Sequence, residues 1–166
     1  MLTSRSFQLL LMFIAFAIIG YAVFLEHQDN LLPCPLCIFQ RLAYGLVALG
    51  ALIAFLGYRF FYARTVGWVF GLVFALAGLS LALRQMWLQH LGPDAITTCV
   101  PGLNYLYSNF SWFKATMLVF QGTSDCAKVT WRLFGLTIAN WSAIIFALFA
   151  LTFLINLIGN KKIKSS

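Results

Sequence analysis

Apolar residues gather into four long runs separated by polar stretches. The first run is Phe7 to Leu25, 19 residues in which Gln8 is the only strongly polar one. The others run from about 42 to 58, 66 to 83 and 135 to 158, the last broken only by Asn140 and Asn156. A hydrocarbon core of about 30 Å needs roughly 20 helical residues. Backbone groups in lipid must satisfy one another, which makes each run a helix. A barrel would show alternating segments of about 10 residues, and these runs do not alternate. The first run exceeds the usual apolar length of a cleaved signal, and its Ala15-Phe16-Ala17 lies in mid-run, so it reads as a retained anchor.

Composition strengthens the pattern. Apolar residues are 62% of the 166 and charged residues 9%. Soluble domains have about 45–50% and about 25%, and a chain this short has too little interior for so much apolar surface. A soluble globule and a disordered chain are both excluded. The net charge of +7 comes from 11 basic residues in short clusters. These read as topology signals and not as a stripe that tracks phosphates, so no nucleic acid is expected. The expectation is an all-α, polytopic single membrane domain over 1–166, a bundle of four transmembrane helices.

Charge placement gives direction. Arg5, Arg59, Arg64, Lys161, Lys162 and Lys164 crowd into the short segments 1–6, 59–65 and 159–166. Arg41, Arg84, Lys114, Lys128 and Arg132 spread over 26–41 and 84–134, with all four acids, Glu26, Asp29, Asp94 and Asp125. Basic residues close to helix ends in short loops face the cytoplasm. Both termini are expected inside, and 26–41 and 84–134 outside.

All four cysteines then face out, in the kind of oxidising compartment where thiols pair. Cys34 and Cys37 precede the second run; Cys99 and Cys126 lie in the long second loop. Two and two suggests two disulfides, although four cysteines allow three pairings. Pro35 suits the first helical position, which makes Cys34 the N-cap. Cys37 then sits in the first turn, where unpaired N–H groups and the helix dipole favour a thiolate. Arg41 follows one turn on, on the same face. It could stabilise a thiolate or an anionic acceptor, or simply snorkel. C-x-x-C is also half of a zinc site, but such sites need a second close pair, and the other two cysteines are 27 positions apart. No metal is expected. Bridging Cys99 to Cys126 would stabilise the fold by about 3.5 kcal/mol on chain entropy, so a structural staple is a real alternative to a redox role. Between them, Leu106, Phe110, Phe113, Met117 and Phe120 recur at helical spacing. They predict a short interfacial helix that holds the loop against the membrane. His27 and His90, near the outer surface, are not expected to bind metal.

Three blocks together resemble the DsbB family, the bacterial inner-membrane disulfide bond formation proteins. They are Cys34-Pro-Leu-Cys37-Ile-Phe-Gln-Arg41, Thr98-Cys99, and Ser124-Asp-Cys126-Ala-Lys-Val-Thr-Trp131-Arg-Leu-Phe-Gly135-Leu. The resemblance covers almost the whole chain. It implies a thiol:quinone oxidoreductase of the bacterial inner membrane. Such an enzyme reoxidises a DsbA-like thioredoxin-fold protein of the periplasm and passes electrons to ubiquinone or menaquinone. It implies that Cys34 and Cys37 are the quinone-linked pair, Cys37 the thiolate beside the ring and Arg41 the cation that polarises it. Cys99 would form the mixed disulfide with the partner, and Cys126 would be its mate. Gln40 stands where the family often has an acid. Gln85 falls near a position where one member has a quinone-side histidine, with His90 five residues on. Ala139-Asn140 replaces a common proline. Two rivals are kept. One is a quinone-linked thiol oxidase like vitamin K epoxide reductase, although that family usually has its C-x-x-C on a late helix. The other is a non-enzymatic membrane scaffold with structural disulfides.

Overall fold

The computed structural model describes residues 5–29, 34–92, 111, 114, 117, 132–133 and 135–165. Four helices dominate it: α1 (Arg5–Asp29), α2 (Pro35–Leu56), α3 (Phe61–Leu91) and α4 (Ile138–Ser165). Each contains a stretch long and apolar enough to cross a membrane. Two short strands, β1 (Arg132–Leu133) and β2 (Leu136–Thr137), form an antiparallel hairpin just before α4.

The helices outrun the apolar segments that announce them. An apolar run marks what meets hydrocarbon, whereas a helix continues wherever its backbone bonds continue. Thus α2 starts at Pro35, not at 42, and α3 reaches Leu91, well past 83. The fourth helix begins three residues later than its apolar run, although it continues past 158 to Ser165. Gly135 takes a φ of 78°, which glycine adopts without a Cβ clash. The chain reverses there, pairing Leu133 with Leu136 and Arg132 with Thr137, and α4 begins at Ile138. Thr137 caps it, its Oγ1 accepting from the Asn140 N–H at 3.4 Å. The same hydroxyl donates to Gln89 Oε1 at 2.8 Å, fastening the start of α4 to the end of α3. Within the expected interfacial helix, Lys114 and Met117 are helical and Ser111 is not; the other residues of that segment lie outside the described residues.

The interior is built of small residues and a few rings. Ala15, Ala43, Ala51, Ala54, Ala75 and Ala82 are buried. Between α2 and α3 the backbones nearly touch: a Cβ on Gly50 would lie 2.7 Å from the Gly71 Cα. Between α3 and α4, rings fill glycine gaps in an antiparallel heptad register, Phe153 over Gly71 and Phe146 over Gly78. Tyr44 of α2 stacks on Phe146 with ring centroids 4.0 Å apart. Large apolar side chains such as Phe13, Phe16, Val73, Leu76, Leu148 and Leu151 point outward. Small residues inside and large apolar ones outside are what packing in lipid favours.

Candidate functional site

The antiparallel bundle brings the end of α1, the start of α2, the end of α3 and the start of α4 to one end. The opposite end has Arg5 and Arg64 against the aromatic face of Tyr58, at 5.1 and 5.8 Å from its centroid.

Cys34 is the N-cap of α2, with φ −67° and ψ 150°, and Pro35 opens the helix. The Cys34 carbonyl accepts from the N–H groups of Cys37 and Ile38 at 3.0 and 3.3 Å. Its Sγ also accepts from the Cys37 N–H at 3.3 Å. The turn therefore folds the second cysteine back over the first, and the two Sγ atoms lie 2.6 Å apart. Cys34 is buried and Cys37 half-buried. One sulfur is shielded by the bundle and the other reaches its edge.

Two glutamines complete the surroundings. The Gln85 amide of α3 donates towards both sulfurs, at 3.4 Å to Cys37 and 3.8 Å to Cys34. Its oxygen accepts from the Gln40 amide of α2 at 2.7 Å. Both side chains are about 95% buried (exposures 5% and 4%). Both depart from the family pattern; Gln85 lies on the sulfurs and Gln40 behind it, a placement the motif spacing does not predict. Their polarity, 45 residues apart in apolar surroundings, was the one available signal.

Arg41 lies one turn beyond Cys37, as the spacing predicts. Among the described residues it pairs with Glu26 of α1, Nη1 to Oε2 at 2.6 Å, and not with a sulfur. The second Glu26 oxygen is buried without a hydrogen bond among them. Between α3 and α4 a cavity of 520 Å³ opens, lined by Leu83, Met86, Trp87, Gln89, His90, Thr137 and Asn140. Cys99 and Cys126 lie outside the described residues.

Two sulfurs within bonding reach, at a helix N-terminus and under an amide donor, can cycle between dithiol and disulfide. In a four-helix membrane bundle, that chemistry is the work of a membrane thiol oxidoreductase. The family model of disulfide bond formation protein DsbB matches residues 4–156. The chain belongs to this family, whose members are disulfide-generating oxidoreductases. It is 39% identical over 148 residues to disulfide bond formation protein B of Marinobacter nauticus, covering 89% of this chain and 88% of that one. It is 40% identical over 146 residues to the protein of that name from Azoarcus sp., covering 87% of each. It is 38% identical over 130 residues to disulfide bond formation protein B 1 of Pseudomonas aeruginosa, covering 78% and 80%.

Proposed function

We propose that the chain reoxidises a DsbA-like, thioredoxin-fold protein of the periplasm and delivers the electrons to a membrane quinone, ubiquinone or menaquinone. It would lie in a bacterial inner membrane with both termini in the cytoplasm and all four cysteines outside. The basic clusters at Arg59–Arg64 and Lys161–Lys164 support that direction. The observation that carries the reading is the Cys34–Cys37 pair, held sulfur to sulfur at the edge of a lipid-facing bundle.

The relay balances as three successive two-electron transfers. A thiolate of the reduced partner attacks Cys99 of a Cys99–Cys126 disulfide, forms a mixed disulfide and expels Cys126 as a thiolate. The partner's second thiolate then closes its own disulfide and releases Cys99. The Cys99 and Cys126 thiols next reduce the Cys34–Cys37 disulfide by the same exchange. Cys34 and Cys37 would then return to a disulfide by giving up two electrons and two protons, for which a bound quinone would supply the acceptor.

The residues present suit a quinone. Its ring needs an apolar slot and its carbonyl oxygens need donors. The α3–α4 cavity offers Leu83, Met86 and Trp87 as walls and Gln89, His90 and Asn140 as polar groups. Met86 directly follows Gln85, whose amide touches the sulfurs. Cys37 and Arg41, both on the first two turns of α2, are the further groups we assign to the acceptor.

The test is turnover of purified protein with reduced partner, with and without ubiquinone or menaquinone, followed by quinone absorbance. Turnover should require quinone, and Cys37→Ser should abolish it. Quinone reduction by the Cys37→Ser protein would refute the assignment.

A further inference from the structure

We propose that Gln85 is a catalytic hydrogen-bond donor of the dithiol centre and that Gln40 is the residue that orients it. The inference rests on the redox reading of Cys34 and Cys37 given above.

An amide has an accepting end and a donating end of nearly equal shape. Only the donating end helps a thiolate, which accepts and cannot donate. Gln85 presents its NH2 to both sulfurs, 3.4 and 3.8 Å away. The opposite end must then accept, and Gln40 supplies the donor at 2.7 Å. The two amides run head to tail, from α2 through α3 and back to the start of α2. Neither is near bulk water, with exposures of 4% and 5%. A hydrogen bond to a charged group is stronger in such surroundings than in water. A single donor that reaches both sulfurs can serve whichever carries the charge as electrons arrive and leave. The helix terminus favours negative charge over the whole first turn, whereas the amide aims a donor at the sulfurs themselves.

The chemistry at stake is proton loss from Cys37 to solvent, which needs neither partner nor quinone to measure. Full-length protein is reduced in detergent, alkylated with iodoacetamide across a pH series, and the Cys37 peptide is quantified by mass spectrometry. Gln85→Leu keeps the volume and removes the donor. The midpoint of its alkylation profile should rise by about one pH unit, a roughly tenfold fall in thiolate below the midpoint. Gln85→Glu should raise it further, because it sets a carboxylate beside the sulfur. Gln40→Glu leaves Gln85 in place but offers its oxygen no donor, turning the Gln85 amide around. It should raise the midpoint too, and more than Gln40→Leu. Each variant is first shown to elute as the wild type does on size exclusion. Should Gln85→Glu fail that check, Gln85→Leu and Gln40→Glu decide. Wild-type midpoints in Gln85→Leu and Gln40→Glu overturn the proposal. Failure of quinone turnover in the wild-type chain would overturn the functional reading and leave the midpoint measurement standing.

Discussion

Arg41 and Glu26 show how a single ion pair can be read two ways. The pair is about one-fifth exposed at the end of α1 and α2, with a 2.6 Å contact. Ion pairs that water can reach contribute about 0–1 kcal/mol. If the pair served only to join two helices, removing either partner would have the same small effect. If Arg41 serves the acceptor, the two sides differ. Arg41→Met should slow quinone reduction about tenfold, the loss of one charge-assisted hydrogen bond. Its thermal stability should change by less than about 1 kcal/mol. Glu26→Gln keeps the cation and removes its competitor, so its rate should equal or exceed that of the wild type. Steady-state kinetics with quinone varied, beside thermal unfolding in detergent, separates the cases. An equal loss of rate in both variants would make the pair structural.

At the scale of helices, close approach is what aligns the site. Gln85 of α3 reaches the sulfurs of α2 only because the two backbones meet along Gly50, Gly67 and Gly71. A side chain at Gly50 would strike the backbone of Gly71, which cannot turn aside as a side chain can. Gly50→Val should therefore destabilise the protein by about 1–3 kcal/mol and loosen the Gln85 contact. Gly20 of α1 has nothing within 4 Å of a would-be Cβ, so Gly20→Val should be close to neutral. Unfolding of both variants in the same detergent checks the contrast; equal behaviour would mean that the α2–α3 contact is not tight. This packing also explains what the sequence could reveal. Local rules were legible: the cap at Cys34, Pro35 at the first position, and four runs of sufficient length. Each depends on neighbours within a turn or on composition over a span. The Gln40–Gln85 bridge and the Glu26–Arg41 pair join residues 45 and 15 apart. They follow from how helices face one another, which a hydropathy pattern does not encode. The hairpin before α4 escaped for a different reason. Strands of two residues leave no alternation to read, and only Gly135 marked the turn.

Across the whole molecule, the arrangement has to satisfy an energetic condition. A strongly oxidising thioredoxin-fold partner sits near about −120 mV, and ordinary structural disulfides lie below about −300 mV. Electrons would have to climb about 180 mV to pass from such a partner to such a staple, roughly 8 kcal/mol. A disulfide becomes more oxidising when its reduced form is stabilised. Three features of the fold act in that direction at Cys34 and Cys37: the terminus of α2, the Cys37 N–H on the Cys34 sulfur, and the Gln85 amide on both. None of them depends on the quinone, so the effect should be present in the isolated protein. Equilibrated with glutathione buffers, trapped by alkylation and resolved by peptide, the Cys34–Cys37 pair should open at potentials above about −250 mV. Gln85→Leu should shift that opening to more negative potentials, because it weakens the reduced form alone. A midpoint below about −300 mV would place the pair among structural staples. The helix terminus and the amide would then add no oxidising power, and the acceptor alone would have to supply the whole driving force.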